Sequence, residues 1–348
     1  MKKIKFILLS ITCLCFLCSC GNKYVDDSSN ELKQSPTVEE LLEVVYKNGS
    51  YINNMLNNWQ DAFATVPDAS AESIATVIAT VQEQYVNGGG NAYGTDTDDV
   101  SYTLTNVAEM ATLSSYSAAT DNLGPVLIID DVQLTESDGN KQTVTLVLLA
   151  GTKLSETQAT GFKEDIYSGM ALDNEYLYSA FNTIKAHFTD EQGNVDYNHK
   201  LVIQGISLGG MVAQQLTAVY AKYENEGTEN FDVLYTTTFG SPILSADIIG
   251  TTSVVRRMVM AGDIVPKTSV EYDATNTFTE GGTDTIYPNN TYLYKTCSVA
   301  NTFVGIHMIC YVVKSEWPGV DVLGNENGLG QVTFTKGNMT WYDAPISS

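Results

Sequence analysis

Ser207 stands at the centre of Gly205-Ile206-Ser207-Leu208-Gly209, a G-x-S-x-G pentapeptide. The apolar run Leu201-Val202-Ile203 precedes it, and Gly210-Met211-Val212-Ala213 follows. A strand, a tight turn and a helix with a serine at the apex is the arrangement that raises a hydroxyl above a sheet edge. The turn forces the serine into a strained backbone conformation, so the positions two before and two after it must lack side-chain bulk. The chemistry such a serine performs is acyl transfer, with water as the final acceptor. A small-residue turn in an ordinary parallel sheet is the structural alternative, and the helix that follows must support the first reading. Leu208, Val212, Leu216 and Val219 recur at helical spacing and give that helix one apolar face.

The elements that would position this serine follow from the pattern on either side. Val126 to Ile129 and Val144 to Leu149 are β-branched runs separated by Asp138-Gly139-Asn140, which reads as a hairpin. A helix is expected from Asn174 to Phe188, then the strand and helix around Ser207, then strands over Val233–Phe239 and Val254–Met260. Alternation of this kind predicts a mainly parallel sheet flanked by helices, and the G-x-S-x-G turn set within it points to an α/β-hydrolase fold. Residues from Asp273 to Asn290 are rich in Thr, Asn and Gly and read as loop. Upstream, Thr37 and Glu40 form a capping box ahead of Val38, Leu41, Leu42 and Val45. Further helices are expected near 52–63 and 71–85, so residues 36–120 read as a helical N-terminal part and 121–348 as the hydrolase domain.

A serine nucleophile needs a base, and in this fold the chain order is nucleophile, acid, histidine. The chain has three histidines, His187, His199 and His307, and His307 alone follows Ser207. The acid must then lie between residues 207 and 307. Asp232 and Asp247 sit in ordinary loop or helix-end sequence. Asp263 follows the apolar run of residues 254–260 in Ala261-Gly262-Asp263-Ile264-Val265-Pro266, at the carboxyl end of a strand, where open α/β sheets carry their active groups. The negative oxygen of a tetrahedral intermediate requires N–H donors already in place. Leu208 offers one, as the residue after the nucleophile. Thr152, in the strand end Leu149-Ala150-Gly151-Thr152, offers the other.

Taken together, these segments resemble the class 3 lipases, the fungal-type triacylglycerol lipases and their bacterial relatives. The resemblance rests on Ala150-Gly151-Thr152, Val202 to Gly210, Thr238-Phe239-Gly240-Ser241-Pro242, Gly262 to Pro266 and His307, and covers about residues 120 to 315. It implies Ser207 as nucleophile, Asp263 as acid, His307 as base, and Thr152 and Leu208 as oxyanion donors. It also implies that residues 154–172 form a lid, with Phe162, Ile166 and Met170 on one apolar face; a core-packing helix is the alternative there. Asp165 on this segment is placed to brace Thr152. Two positions depart from the family: Ile206 stands where a histidine commonly precedes the nucleophile, and Ile243-Leu244-Ser245 replaces a Val-Gly-Asn-like stretch.

The ends of the chain speak about location. Lys2, Lys3 and Lys5 precede an apolar stretch from Phe6 to Leu17, too short to span a bilayer comfortably. Leu17-Cys18-Ser19-Cys20 reads as a lipoprotein signal, in which residues 1–19 are removed and Cys20 carries the lipid. Residues 20–35 are polar and read as a flexible tether, and Asp26-Asp27 resembles acidic segments that route some lipoproteins to the cell surface. The expected location is a bacterial envelope, with the outer membrane reached through the Cys20 anchor.

Charge narrows the partners. There are 18 basic and 41 acidic residues, and removing the three signal lysines leaves 15 against 41. Such a surface repels nucleic acid and gains nothing from anionic lipid. An acyl ester or lipid is the expected substrate. No metal or organic cofactor is implied, because no Cys/His cluster has metal spacing. Of the six cysteines, Cys297 and Cys310 remain in the folded part; they read as two separate buried thiols, with one disulfide as the alternative. A non-catalytic binding protein on the same scaffold, or a hydrolase of amides or thioesters, would share most of these features. The first of these predicts that the three side chains do not converge.

Overall fold

The computed structural model describes residues 101–115, 125–151, 174–244, 254–263, 265–267, 290–300 and 305–343. Their centre is a nine-stranded mixed sheet. In chain order the elements are β1 (Ser101–Leu104), α1 (Val107–Ser115), β2 (Pro125–Thr135), β3 (Lys141–Leu149), α2 (Glu175–His187), β4 (Lys200–Ile206), α3 (Leu208–Asn225), β5 (Asp232–Phe239), β6 (Val254–Ala261), β7 (Asn290–Thr296), a π-helix (Ile306–Cys310), β8 (Gln331–Thr335) and β9 (Met339–Asp343). Strands β3 to β7 are parallel neighbours in sequence order. β2 returns antiparallel on β3, as the Asp138-Gly139-Asn140 turn predicts.

The outer edge of β2 is shared by two strands. Its register breaks between Ile129 and Val132, where Asp131 takes a positive φ of 53°. Such a bulge bends a strand. Here the first half, Pro125–Ile129, pairs with β9 and the second half, Gln133–Thr135, pairs with β8. β1 then pairs antiparallel with β8.

Alternation along the strands divides the core in two. Leu127, Ile129, Leu146, Leu148, Val202 and Phe239 face one side, against Val107, Met110 and Leu113 of α1 and against Trp317. Val126, Ile128, Val147, Leu149, Leu201 and Ile203 face the other, against Leu177, Ala180 and Ile184 of α2 and Leu208, Val212 and Leu216 of α3. Strands buried on both faces read as unbroken apolar runs because neither face is left to water. Each fully buried Leu, Ile or Val contributes roughly 1.5–3 kcal/mol. α2 begins where Asn174 caps it, accepting from the Leu177 N–H at 2.9 Å, and ends with Lys185 and His187 against the negative pole of the helix.

Two expectations need correction. Residues 101–115 fall in the span read as a helical N-terminal part, yet β1 is a strand of the sheet and α1 packs beneath β3 and β4. Residues 101–115 therefore belong with the sheet rather than with a separate helical part. Short strands such as Ser101–Leu104 carry too little pattern to be told from loop until a partner strand is in place. Cys297 and Cys310 are joined in a disulfide, with their Cα atoms 5.8 Å apart. The separate-thiol reading missed β7, which carries Cys297 from its end toward the π-helix. Cys20, the helices expected before residue 100, the tether, Thr152, the 154–172 segment with Asp165, and the expected loop over 273–289 lie outside the described residues.

Candidate active site

Ser207 joins β4 to α3 with φ 54° and ψ −124°. A non-glycine residue rarely adopts this conformation, and it is held here from both sides. The Ser207 N–H donates to the Phe239 carbonyl at 2.8 Å, and the Ser207 carbonyl accepts from Gly210 at 3.0 Å. The turn is tight enough that a Cβ on Gly205 would collide with the Gly209 backbone, and one on Gly209 with the Leu149 and Ala150 carbonyls. This is the physical reason for the spacing of the two glycines about the serine.

The three side chains expected to act together converge. His307 Nε2 lies 3.0 Å from Ser207 Oγ, and His307 Nδ1 lies 2.9 Å from Asp263 Oδ2. Both distances are within hydrogen-bond reach for proton transfer. Asp263 is 1% exposed and sits past the end of β6, after a turn in which Gly262 takes φ 86°. Its other oxygen, Oδ1, accepts from the Val265 N–H at 3.0 Å. His307 is carried by the π-helix, three residues before the disulfide-bonded Cys310. The remaining candidates are elsewhere. Asp232 begins β5, at the opposite end of the sheet, and Asp247 is outside the described residues. His187 is held between Asp130 Oδ2 at 2.7 Å and the Tyr342 hydroxyl at 2.6 Å. His199 stacks on Phe188 at 4.1 Å.

A fourth residue completes the group, and the sequence reading passed over it. The Tyr311 hydroxyl donates to Asp263 Oδ2 at 2.7 Å and accepts from the Met260 N–H at 3.0 Å. Burial, and then the Asp263 charge beside it, push the phenol well above its ordinary pKa, so it remains a donor. The available signal was its spacing, four residues after His307, which one helical turn brings to the same side. Tyr311 also explains Gly240 in the Phe-Gly-Ser-Pro segment. Gly240 has φ 55°, and a Cβ there would lie 2.6 Å from the Tyr311 ring and 2.7 Å from Asp263 Oδ2. The next residues of that segment are gathered by Gln214 of α3. Its amide nitrogen donates to Ser241 Oγ at 3.1 Å and to the Pro242 carbonyl at 2.9 Å, and its oxygen accepts from the Leu244 N–H at 3.0 Å.

The oxyanion positions are half described. Leu208 is the first residue of α3, so its N–H has no partner within the helix and points with the positive pole toward the turn. Gly151 lies against Ser207, since a Cβ on it would come 3.1 Å from the serine Cβ. The Tyr176 hydroxyl donates to the Ala150 carbonyl at 3.1 Å and pins that strand end. Among the described residues, no group of three or more His, Cys, Asp or Glu side chains is arranged to hold a metal ion.

Residues 139–272 match the family model described as lipase (class 3). The resemblance drawn from the motifs is thereby borne out over those residues. The class 3 match takes in Gly151, Ser207, Gly240 and Asp263 and ends before His307 and Tyr311, which the fold alone brings back to it. Among solved structures, the chain is similar to the Rhizomucor miehei lipase–propeptide complex, at 16% identity and TM-score 0.27 over 57% of this chain and 54% of that one. It thus spans about half the length of that lipase. It is also similar to M37 lipase, at 12% identity and TM-score 0.33 over 71% of this chain and 87% of the other. A third is Lip2 lipase from Yarrowia lipolytica, at 14% identity and TM-score 0.24 over 56% and 63%. No curated protein matches the chain significantly.

Proposed function

We propose that this protein is a serine hydrolase of carboxylic esters that works through an acyl-enzyme. Ser207 Oγ attacks the ester carbonyl and passes its proton to His307 Nε2. Asp263 holds the imidazole by Nδ1 and stabilises the imidazolium that forms. The N–H groups of Leu208 and Thr152 receive the developing oxyanion. His307 then protonates the leaving alcohol. A water, deprotonated by the same nitrogen, attacks the acyl carbonyl and releases the acid. The observation that carries this reading is the hydrogen-bonded series Ser207–His307–Asp263, at 3.0 and 2.9 Å. A scaffold retained only for binding has no reason to keep a strained serine in line with a buried acid.

The same proposal includes location. The Leu17-Cys18-Ser19-Cys20 sequence supports lipidation at Cys20 and anchorage on a bacterial envelope, in the outer membrane, with an acyl ester or lipid as substrate. The test of the chemistry is hydrolysis of p-nitrophenyl esters from acetyl to palmitoyl by the mature protein and by Ser207→Ala. Turnover is expected to fall by about four orders of magnitude or more in the variant, with folding intact. Fluorophosphonate labelling of Ser207 is expected in the parent alone. Ester turnover unchanged by Ser207→Ala would remove the assignment. For the anchor, Cys20→Ala is expected to abolish metabolic labelling by fatty acid, and retained labelling would refute it.

A further inference from the structure

His307 acts from a turn that cannot hold itself. The π-helix Ile306–Cys310 is five residues long. An isolated turn of helix is unstable in water, because fixing its backbone costs more than its few hydrogen bonds return. Its last carbonyls also lack partners within the helix. The position of the His307 ring is therefore set by what fastens this turn from outside. Tyr311 fastens it through Asp263, and the disulfide fastens the Cys310 side chain. Trp317 fastens the backbone itself.

The Trp317 indole Nε1–H donates to the Cys310 carbonyl at 3.0 Å, in buried surroundings. That carbonyl belongs to the peptide unit joining the His307 turn to Tyr311. The fully buried Trp317 ring also stacks on Tyr311, with centroids 6.1 Å apart and planes inclined by 23°. Both contacts bear on one atom. Asp263 Oδ2 meets His307 Nδ1 at 2.9 Å and accepts from the Tyr311 hydroxyl at 2.7 Å, so a shift of the peptide between residues 310 and 311 disturbs both partners together.

Trp317 is anchored in turn from the head of α1. Asn106 Nδ2 donates to the Trp317 carbonyl at 2.7 Å and to the Val320 carbonyl at 2.9 Å, while its Oδ1 accepts from the Ala108 N–H at 2.9 Å. These bonds are buried, so deleting the amide leaves carbonyls that water does not reach. A series Asn106–Trp317–Cys310 thus runs from α1 to the helix that carries the base. Asn106 and Trp317 both fall outside residues 139–272, the span that matches the class 3 model.

We infer that Trp317 is a positioning residue for His307, with Asn106 as its anchor: it holds the turn so that Nε2 faces Ser207 and Nδ1 faces Asp263. The inference rests on the serine-hydrolase reading of those three residues. A tryptophan that only filled the core could be replaced by another packed ring, whereas positioning requires the indole N–H.

The experiment compares the mature protein with Trp317→Phe, Asn106→Ser and Ile184→Ala. Trp317→Phe keeps a ring beside Tyr311 and deletes the N–H. Asn106→Ser keeps a capping oxygen for α1, deletes both amide donors, and carries the test should Trp317→Phe not fold. Ile184→Ala opens a cavity in the core layer on the other face of the sheet and controls for lost stability alone. Two quantities are read: kcat and KM on a short-chain p-nitrophenyl ester, and the imidazole nitrogen NMR signals of His307, assigned by their loss in His307→Gln. In the parent the neutral ring is expected as one tautomer, with its proton on Nδ1 toward Asp263. Trp317→Phe is expected to lower kcat about tenfold or more with KM within about threefold, and to move the His307 signals toward the average of two tautomers. Asn106→Ser is expected to act in the same direction, with a fall in kcat of about threefold. Ile184→Ala is expected to lower the unfolding midpoint and keep the parent's kcat and signals. Parental kcat and parental His307 signals in the folded Trp317 or Asn106 variant, or equal changes in Ile184→Ala, would overturn the inference. A parent with neither ester turnover nor fluorophosphonate labelling would instead refute the hydrolase reading, and the imidazole signals report on positioning in either case.

Discussion

Removing one oxygen from Tyr311 tests whether the fourth residue of the site works through Asp263. In Tyr311→Phe the ring stays, stacked near Trp317 at 6.1 Å, and two hydrogen bonds go: the one to Asp263 Oδ2 at 2.7 Å and the one from the Met260 N–H at 3.0 Å. A hydrogen bond to a charged group is worth about 1.5–3 kcal/mol, and a buried N–H left without an acceptor costs about 1–3 kcal/mol. Together these put the expected loss of stability at about 2.5–6 kcal/mol. If Tyr311 anchors the carboxylate that orients His307, part of that loss appears in the transition state. At about 1.4 kcal/mol per tenfold, kcat/KM is expected to fall about 10- to 100-fold. The pH profile separates this from simple loosening. The phenol draws charge from Oδ2, so without it the carboxylate stabilises the imidazolium more strongly, and the acid limb of kcat/KM should move to higher pH. The assay is kcat/KM on a short-chain p-nitrophenyl ester from pH 5 to 9, beside thermal unfolding. A variant that is less stable but has the parent's profile and rate would refute the positioning role.

Three further outcomes follow from the packing. Gly240→Ala places a Cβ against the Tyr311 ring and Asp263 at a positive φ, so kcat is expected to drop at least tenfold, on the order of 1.4 kcal/mol, with KM less affected; parental kcat would contradict the contact. Cys297→Ser opens a disulfide whose partners are 13 residues apart in sequence, and a loop of that size is worth about 3 kcal/mol; denaturant unfolding should show that loss, and turnover should fall through the loosened helix that carries His307. An unchanged midpoint would argue that the bond is not formed. His187→Ala breaks the contacts to Asp130 and Tyr342 and is expected to lower stability by about 1–3 kcal/mol while leaving kcat intact, in contrast to His307→Ala, which should abolish turnover. Loss of kcat in His187→Ala would reverse the assignment of the two histidines.

Much of this site is legible without coordinates because its chemistry is sparse. One histidine follows the elbow serine, and one aspartate in the interval follows a strong strand, so Ser207, Asp263 and His307 can be named from order alone. The long apolar strands β2 to β6 and the amphipathic helices α2 and α3 are equally plain, since burial on one or both faces leaves a period in the residues. The short elements are not. β1, β8 and β9 have four or five residues each, and their strand character comes from the neighbour they pair with. β7 lies beside a Thr- and Asn-rich stretch that masks it. The Cys297–Cys310 bond hides for the same reason, because its geometry depends on where β7 ends.

What the residues determine by themselves is identity and order: a serine on a strand-to-helix turn, an acid at a strand end, a later histidine, and glycines where no Cβ fits. These are local, because backbone strain and periodicity act over a few residues. Tertiary structure decides what meets across the sheet. It brings His307 to 3.0 Å from a serine one hundred residues earlier, sets Tyr311 behind Asp263, and aligns Gly240 so that both have room. A tyrosine in a string of letters carries no sign of which oxygen it will face, because hydrogen bonds and close contacts between distant segments arise only once the sheet has fixed their separation.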